Sequence, residues 1–297
     1  MTITPAIAAA PGELAFTDRF WTSRDGLKLH FRDYPGRADR PPLLCLPGLT
    51  RNARDFSHLA ERLAGEWRVI CADLRGRGDS AYAKDSATYN PVQYADDLTL
   101  LLEQEGIERF VSLGTSLGGL LTMIFAMTQP DRLAGAMLND VGPELAPEGL
   151  ARIRSYVGQG RSFPTWMHAA RSLEEVQAAV FPNYQIADWL AVAKRCMVVG
   201  GNGRVVFDYD MKIAEPFSQP GGEAGVDMWP GIDGLNGCPV LLLRGALSDI
   251  LAPETLTKMA ARLNDCEAVT VPAVGHAPML DEPEAVAAID RLLARVA

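Results

Sequence analysis

The sequence lacks the features that mark several broad classes of protein. Its 297 residues carry a formal net charge of -9, so the basic surplus that nucleic-acid-binding proteins place against phosphates is missing. No run of about 20 apolar residues is present, as a membrane-spanning helix would require. Residues 1–11 are alanine-rich without a lysine or arginine, which is not the pattern of a secretory signal. We therefore expect no nucleic-acid partner, no membrane association and a cytoplasmic location.

Cysteine and histidine are scarce. The five cysteines are scattered and form no C-x-x-C pair, which favours buried free thiols over disulfides or a zinc site. We therefore expect neither a metal nor an organic cofactor. Only four histidines are available as a general base, and they are His30, His58, His168 and His276.

Apolar strand-like runs alternate with helical patterns along most of the chain. Strand patterns occur at 43–46, 67–72, 110–113, 135–138, 239–243 and 267–271, and residues 16–34 predict a hairpin. This alternation predicts an α/β fold with a mostly parallel central sheet and helices on both faces.

The alternation is interrupted once. Between residues 141 and 236 the pattern is helical, with turns at prolines and at a glycine-rich stretch, 200–203. We predict a core domain formed by 1–140 and 237–297 and a helical cap, or lid, formed by 141–236. Such an insertion would lie at the carboxyl end of the sheet, where open α/β sheets bind their ligands.

One short motif indicates nucleophilic catalysis. Residues 114–118 read G-x-S-x-G between a strand pattern and a helical pattern. A sharp strand-to-helix turn needs small residues on both sides, and it leaves the side chain between them exposed at its tip. We predict that Ser116 is a nucleophile, with the N-terminal end of a helix behind it.

A serine needs a base, and the base needs an orienting acid. His276 follows a strand pattern and lies between a glycine and a proline-containing loop, which would present its ring at the sheet edge. We predict His276 as the base. Asp249, just past the strand pattern 239–243, is the favoured acid, and Asp140, which ends the strand after the nucleophile's helix, is the alternative.

The oxyanion formed by attack needs hydrogen-bond donors. The backbone N–H of Leu117, directly after Ser116, is one predicted donor. The N–H of Leu49, in the loop after the strand 43–46, is the other, and Gly48 would let that loop approach the ligand.

These motifs resemble the α/β-hydrolase superfamily over nearly the whole chain, in its branch with a cap. The resemblance rests on Leu46-Pro47-Gly48, residues 72–80, Gly114 to Gly119, Asp249 and Gly275-His276. It implies a catalytic triad in the order Ser–Asp–His, which Ser116, Asp249 and His276 follow. The branch contains esterases, enol-lactonases and meta-cleavage-product hydrolases. Its epoxide hydrolases and dehalogenases resemble this chain less, because they use an aspartate nucleophile.

The cap offers candidate substrate-binding side chains. Apolar rings there favour a small-to-medium acyl or alcohol group, and basic residues could pair with a substrate carboxylate. The candidates are Trp166, Phe181, Trp189 and Arg195.

We expect a serine hydrolase that cleaves a carboxylic ester or lactone through an acyl-enzyme. A C–C bond hydrolase of the meta-cleavage-product type and a weakly catalytic small-molecule receptor are the alternatives. The oligomeric state is left open, with a homodimer among the arrangements considered.

Overall fold

The computed structural model describes residues 16–217 and 227–296. The expectation for residues 1–11 lies outside these ranges. The described chain builds an eight-stranded sheet in the order β1-β2-β4-β3-β5-β6-β10-β11. The first two pairings, β1 with β2 and β2 with β4, are antiparallel, and every later pairing is parallel.

The sheet strands are short and, at the centre, buried on both faces. Their bounds are β1 Thr17–Thr22, β2 Lys28–Tyr34, β3 Leu43–Leu46, β4 Val69–Ala72, β5 Phe110–Thr115, β6 Leu133–Asn139, β10 Val240–Gly245 and β11 Cys266–Val271. Every residue of β3, β4, β6 and β10 is buried. This is expected of parallel strands, because helices cover both faces of the sheet.

Alternate strand residues feed two separate apolar cores, one on each face. Leu44 and Leu46 of β3 pack into the first core, whereas Leu43 and Cys45 pack into the second. The first core is closed by α2 Pro91–Gln104, α3 Leu117–Thr128, α8 Trp229–Asp233 and α9 Pro253–Arg262, and the second by α1 Ser57–Leu63 and α10 Pro283–Val296. The predicted α/β class, with helices on both faces, is therefore confirmed.

Between β6 and β10 the chain leaves the sheet, and we call residues 141–236 the insertion. Its helices are α4 Pro147–Tyr156, α5 Trp166–Gln177, α6 Ile186–Cys196 and the short α7 Ala214–Phe217, with α8 at its end. It also contains a three-stranded antiparallel sheet of β7 Ser162–Phe163, β8 Met197–Val199 and β9 Val205–Phe207, in the order β7-β9-β8.

The small sheet differs from the expectation of a purely helical segment. The valine-rich runs of β8 and β9 flank residues 200–203, and Gly203 has a φ of +75° that favours glycine. A β-branched run on each side of a glycine turn makes a hairpin, so the turn was predicted but its strands were not.

The structure also bears on the cysteines and on membrane-spanning helices. All five cysteines are free thiols, and four of them are buried, in line with the expectation from their spacing. Within residues 16–217 and 227–296, every helix is too short or too polar to span a membrane.

Candidate active site

Ser116 lies at the turn between β5 and α3. Its φ is +53° and its ψ is -116°, a backbone conformation that a residue with a side chain rarely adopts. Its N–H donates to the carbonyl of Asn139 at 3.0 Å, which fixes the turn against the neighbouring strand β6. The hydroxyl is therefore presented at the carboxyl edge of the sheet by a strained backbone, which is the geometry predicted for the motif.

The flanking glycines are required by close contact. A Cβ placed on Gly114 would lie 2.2 Å from the carbonyl carbon of Gly118, and one on Gly118 would lie 2.0 Å from the carbonyl oxygen of Leu46. Both distances are far below van der Waals contact, so a side chain at either position would displace the start of α3 or the end of β3. The G-x-S-x-G pattern thus reflects the packing of β5, α3 and β3 around Ser116.

His276 lies within hydrogen-bond distance of Ser116, in the loop between β11 and α10. Its Nε2 is 2.9 Å from Ser116 Oγ, and its Nδ1 is 2.8 Å from Asp140 Oδ2. The ring is nearly buried, with its side chain 9% exposed. A serine, an imidazole and a carboxylate therefore form one continuous hydrogen-bonded chain.

The carboxylate in this chain belongs to Asp140 rather than to Asp249, the acid favoured from sequence. Asp140 follows β6 directly, is fully buried and has a φ of +56°. Besides contacting His276, it accepts hydrogen bonds from the Gly245 N–H at 2.8 Å and from Ser248 Oγ at 2.6 Å. These contacts fix the orientation of the carboxylate toward His276.

Asp249 has a different partner. Its carboxylate accepts two hydrogen bonds from the guanidinium of Arg152 on α4, at 2.5 and 2.8 Å. Burial alone would raise the pKa of the Asp249 carboxyl, but Arg152 outweighs burial and holds that pKa below its ordinary value. The residue lies one position past Ser248, so its loop supports Asp140 while its side chain binds the insertion.

Asn139 connects the loops that carry the serine, the acid and the histidine. It is fully buried, and its side-chain amide donates to Thr115 Oγ1 at 3.0 Å and to the carbonyl of Pro278 at 2.9 Å. These partners lie one residue before Ser116 and two residues after His276. Neither Asn139 nor Ser248 was singled out from sequence; the only signal was the dipeptide 139–140 at the end of a strand pattern.

Both predicted oxyanion donors, Leu117 and Leu49, lie near Ser116. Leu117 is the first residue of α3, so its N–H has no acceptor within the helix. Leu49 lies in the loop after β3, and a Cβ on the adjacent Gly48 would lie 3.7 Å from Ser116 Cβ. The buried Arg77 donates to the carbonyl of Leu49 at 2.8 Å and so holds this loop from behind.

A cavity of about 150 Å³ opens above Ser116 and His276. Its floor comes from Gly48, Leu49 and the residues around Ser116, and the loop 276–280 forms one side. Arg51, Asp55 and Phe56 of the core also line it. The insertion supplies the wall, which is mostly apolar and consists of Ile153, Tyr156, Val157, Arg161, Ser172, Leu173, Val176, Gln177, Cys196 and Phe207. The site can therefore hold a small apolar group against the serine hydroxyl.

None of the four substrate-binding residues predicted from sequence lines this cavity in the described chain. Phe181 and Trp189 are buried and pack edge-to-face at 6.0 Å within the insertion. Trp166 faces a separate, open groove, and Arg195 is engaged through its backbone carbonyl, which accepts from Arg54 Nε at 2.9 Å. Phe181 and Trp189 therefore stabilise the insertion, whereas other residues of it, mostly on α4 and α5, form the wall.

One cluster in the described ranges has the donor types of a metal site. His30, Asp73 and Asp79 bring ligand atoms within 4.8 Å of one another. Asp73 already contacts His30 Nδ1 at 2.7 Å and accepts from the backbone N–H of Ala53 at 2.6 Å and of Asp79 at 3.0 Å. These contacts hold the loop after β4 in place, and we interpret the cluster as structural.

Comparison with known proteins agrees with this architecture. The model of the family described as "Alpha/beta hydrolase family" matches residues 43–289. The crystal structure of an alpha/beta hydrolase from Novosphingobium aromaticivorans superposes with a TM-score of 0.93 at 63% identity, covering 96% of this chain and 100% of that one.

Two relatives with named activities span most of the chain. A 3-hydroxybutyrate-oligomer hydrolase of Cupriavidus necator is 35% identical over 267 residues, which is 88% of this chain and 90% of that protein. A 2-(acetamidomethylene)succinate hydrolase of Mesorhizobium japonicum is 25% identical over 238 residues, which is 80% of this chain and 81% of that protein.

Proposed function

The chain belongs to the alpha/beta hydrolase family, and we propose that it is a serine hydrolase that cleaves a carboxylic ester or lactone through an acyl-enzyme. The observation that carries this proposal is the unbroken chain of hydrogen bonds from Ser116 Oγ through His276 to Asp140. The insertion serves as a cap that completes the substrate cavity, and 1–140 with 237–297 forms the catalytic core.

The first half of the proposed reaction forms the acyl-enzyme. In the tautomer that catalysis needs, His276 donates its Nδ1 proton to Asp140 and accepts the Ser116 proton at Nε2. Ser116 Oγ then attacks the ester carbonyl, and the N–H groups of Leu117 and Leu49 stabilise the oxyanion. As the C–O bond breaks, the imidazolium returns its proton to the leaving alcohol.

The second half reverses these roles with water. His276 takes a proton from water, the hydroxide attacks the acyl carbonyl, and the proton passes to Ser116 Oγ as the acid product leaves. Asp140 remains a carboxylate throughout and stabilises the imidazolium in both halves. Such a triad with two oxyanion donors is sufficient for ester and lactone hydrolysis.

The relatives support the ester branch of this proposal. By its name, the Cupriavidus necator relative cleaves oligomers of 3-hydroxybutyrate, whose units are joined by ester bonds. The mostly apolar wall of the cavity suits a short acyl chain of this kind. We therefore propose short esters of hydroxy acids as the substrate class.

The test is a panel of p-nitrophenyl esters from acetate to decanoate, simple lactones and the linear 3-hydroxybutyrate dimer. Wild type should turn over short members, and Ser116→Ala should lower kcat by about 10⁴-fold or more, since the nucleophile is lost. Mass spectrometry during turnover should detect an acyl adduct on Ser116. Turnover that persists in Ser116→Ala would overturn the proposal, and turnover without an adduct would favour the C–C hydrolase type of chemistry.

A further inference from the structure

The lining of the cavity carries an uneven set of charges. Three of its residues are charged at neutral pH, namely Arg51, Asp55 and Arg161. The whole chain has a net charge of -9, so a surplus of positive charge at the site is opposite to the average of the surface. Whether each cation is already neutralised decides what the cavity can bind.

Arg51 is neutralised by a close partner. Its Nε and Nη2 each donate to the Asp55 carboxylate at 2.6 Å, in a two-pronged ion pair. Burial alone would lower the pKa of Arg51, but the Asp55 carboxylate outweighs burial and raises it. The pair therefore adds no net charge to the cavity, and it is the only acid–base pair among the described lining residues.

Arg161 lies on the same cavity without such a partner. Across the described ranges, its guanidinium has neither an ion pair nor a side-chain hydrogen bond, and the residue is exposed. A guanidinium that faces a cavity with a neutral remainder leaves that cavity with a single positive charge. Its flat pair of N–H donors matches the geometry of a carboxylate.

The backbone of Arg161 is held in place on both sides. Before it, the N–H of Gly158 donates to Tyr209 Oη at 3.1 Å. After it, Ser162 pairs with Val206 in the small sheet, and the Arg204 guanidinium donates to Ser162 Oγ at 2.8 Å. The loop between α4 and β7 is thus anchored, which fixes where the backbone of Arg161 meets the edge of the cavity.

We propose that Arg161 binds a free carboxylate of the substrate, so that the enzyme prefers esters that carry an acid group over neutral esters of the same size. This inference rests on the proposed ester hydrolysis and names its substrate class. The carboxylate would lie against the insertion while the ester carbonyl lies against Ser116. Arg161 is in this sense a specificity residue, because it touches substrate away from the bond that is broken.

The test compares acid and neutral members of matched substrate pairs. The first pair is the linear 3-hydroxybutyrate dimer and its methyl ester, and the second is mono-p-nitrophenyl glutarate and p-nitrophenyl valerate. For each pair, the ratio of kcat/KM for the acid to that for the neutral ester is measured in wild type, Arg161→Gln, Arg161→Lys and Arg171→Gln. Arg171 is the matched control, because it is an exposed arginine of α5 that does not line the cavity.

We expect Arg161→Gln to lower the acid preference about tenfold for at least one pair, Arg161→Lys to retain part of it, and Arg171→Gln to leave it unchanged. The preference should also shrink as salt is raised, since an exposed cation is screened. Hydrolysis with an acid preference that is equal in wild type and Arg161→Gln for both pairs would overturn the inference and leave the proposed function intact.

A measurement without turnover separates the two proposals. In the Ser116→Ala background, binding of the dimer acid and of its methyl ester is measured by calorimetry with and without Arg161→Gln. Arg161-dependent binding of the acid, combined with no hydrolysis by wild type, would reject the proposed function and support the carboxylate site. If the acid bound equally with and without Arg161→Gln, and wild type again showed no hydrolysis, both the proposed function and the carboxylate site would be rejected.

Discussion

The floor and the wall of the cavity are built on different principles. The floor consists of strand ends of the parallel sheet, where each chemically active side chain has defined hydrogen-bond partners, as His276 and Asp140 do. The wall is a surface of α4, α5 and the small sheet, where apolar side chains meet the cavity and Arg161 is the one cation without an ion-pair partner among the described lining residues. Hydrogen bonds fix the side chains of the floor in position, whereas the wall sets the shape and the charge of the cavity.

Under the proposed function, this difference separates the residues that carry out the chemistry from those that select the substrate. A change in the floor removes a hydrogen bond on which proton transfer depends, so it should change kcat for every substrate. A change in the wall should alter which substrate is preferred while the triad stays assembled. Substitutions on the two sides therefore test whether the division holds.

The largest expected effect is at the acid of the floor. Asp140→Asn keeps the size of the side chain but turns an N–H₂ toward His276 Nδ1, which favours the wrong tautomer. We expect kcat for a p-nitrophenyl ester to fall by about 10⁴-fold. The same measurement on Asp249→Asn should show a loss of less than about tenfold, because Asp249 binds Arg152 instead. If Asp249→Asn were the more damaging variant, the acid would be the one favoured from sequence.

The next effect concerns the wall. Leu173 of α5 is buried and lines the cavity, so Leu173→Ala enlarges the space next to the acyl chain. We expect the ratio of kcat/KM for a decanoate ester to that for a butyrate ester to rise about tenfold, since each added methylene then finds apolar surface. Leu190→Ala on α6 is the control, because Leu190 packs inside the insertion and does not line the cavity. An equal shift in both variants would mean that the wall acts through its overall stability rather than its shape.

The floor could be predicted from the sequence to a larger extent than the wall. The strands of the core could be predicted from apolar runs, as the strand 43–46 shows by matching its predicted ends. Ser116, His276 and the oxyanion loop could be predicted as a group, because a strand-to-helix turn with crowded glycines leaves few alternatives. The choice between Asp140 and Asp249 could not, since both follow strands that are neighbours in the sheet and only the side-chain partners distinguish them.

The residues that line the wall could not be predicted from the sequence, for a physical reason. Large aromatic residues of the insertion were expected to line the site, but burying a tryptophan such as Trp189 within the insertion removes more apolar surface from water than leaving it at a cavity. The residues of the insertion that do line the cavity lie mostly on α4 and α5, and their exposure depends on how these helices lie across the sheet edge. That placement depends on contacts distant in sequence, of which Arg152 with Asp249 is one.

The smallest expected effect is on this contact between floor and wall. Arg152 and Asp249 are 22% and 27% exposed, so Arg152→Gln should lower the free energy of unfolding by only about 1 kcal/mol at pH 7. The pKa of Asp249 is lowered in the folded protein, so the pair stabilises the fold above the unfolded-state value of about 4. That stabilisation is lost as the pH falls through the lower folded-state pKa.

Urea unfolding of wild type and Arg152→Gln across this pH range measures the effect. The difference between their free energies of unfolding should be constant above about pH 5 and should close as the pH falls below about 4. Asp249→Asn should differ from wild type by a similar amount at pH 7, and this difference should also close in acid, because wild type loses there the ion pair that the variant lacks. If the difference between wild type and Arg152→Gln persisted in acid, the effect of Arg152 would come from packing rather than from its charge.

Under the proposed function, the buried amide of Asn139 has a consequence for how the energy of substrate binding is used. Because this one group donates to Thr115 beside Ser116 and to Pro278 beside His276, separating nucleophile from base leaves a buried N–H without an acceptor. Such a loss costs about 1–3 kcal/mol, so the catalytic geometry is set before any ligand arrives. Binding energy from the substrate is then not consumed in assembling the triad, and it remains available to lower the barrier of the chemical step.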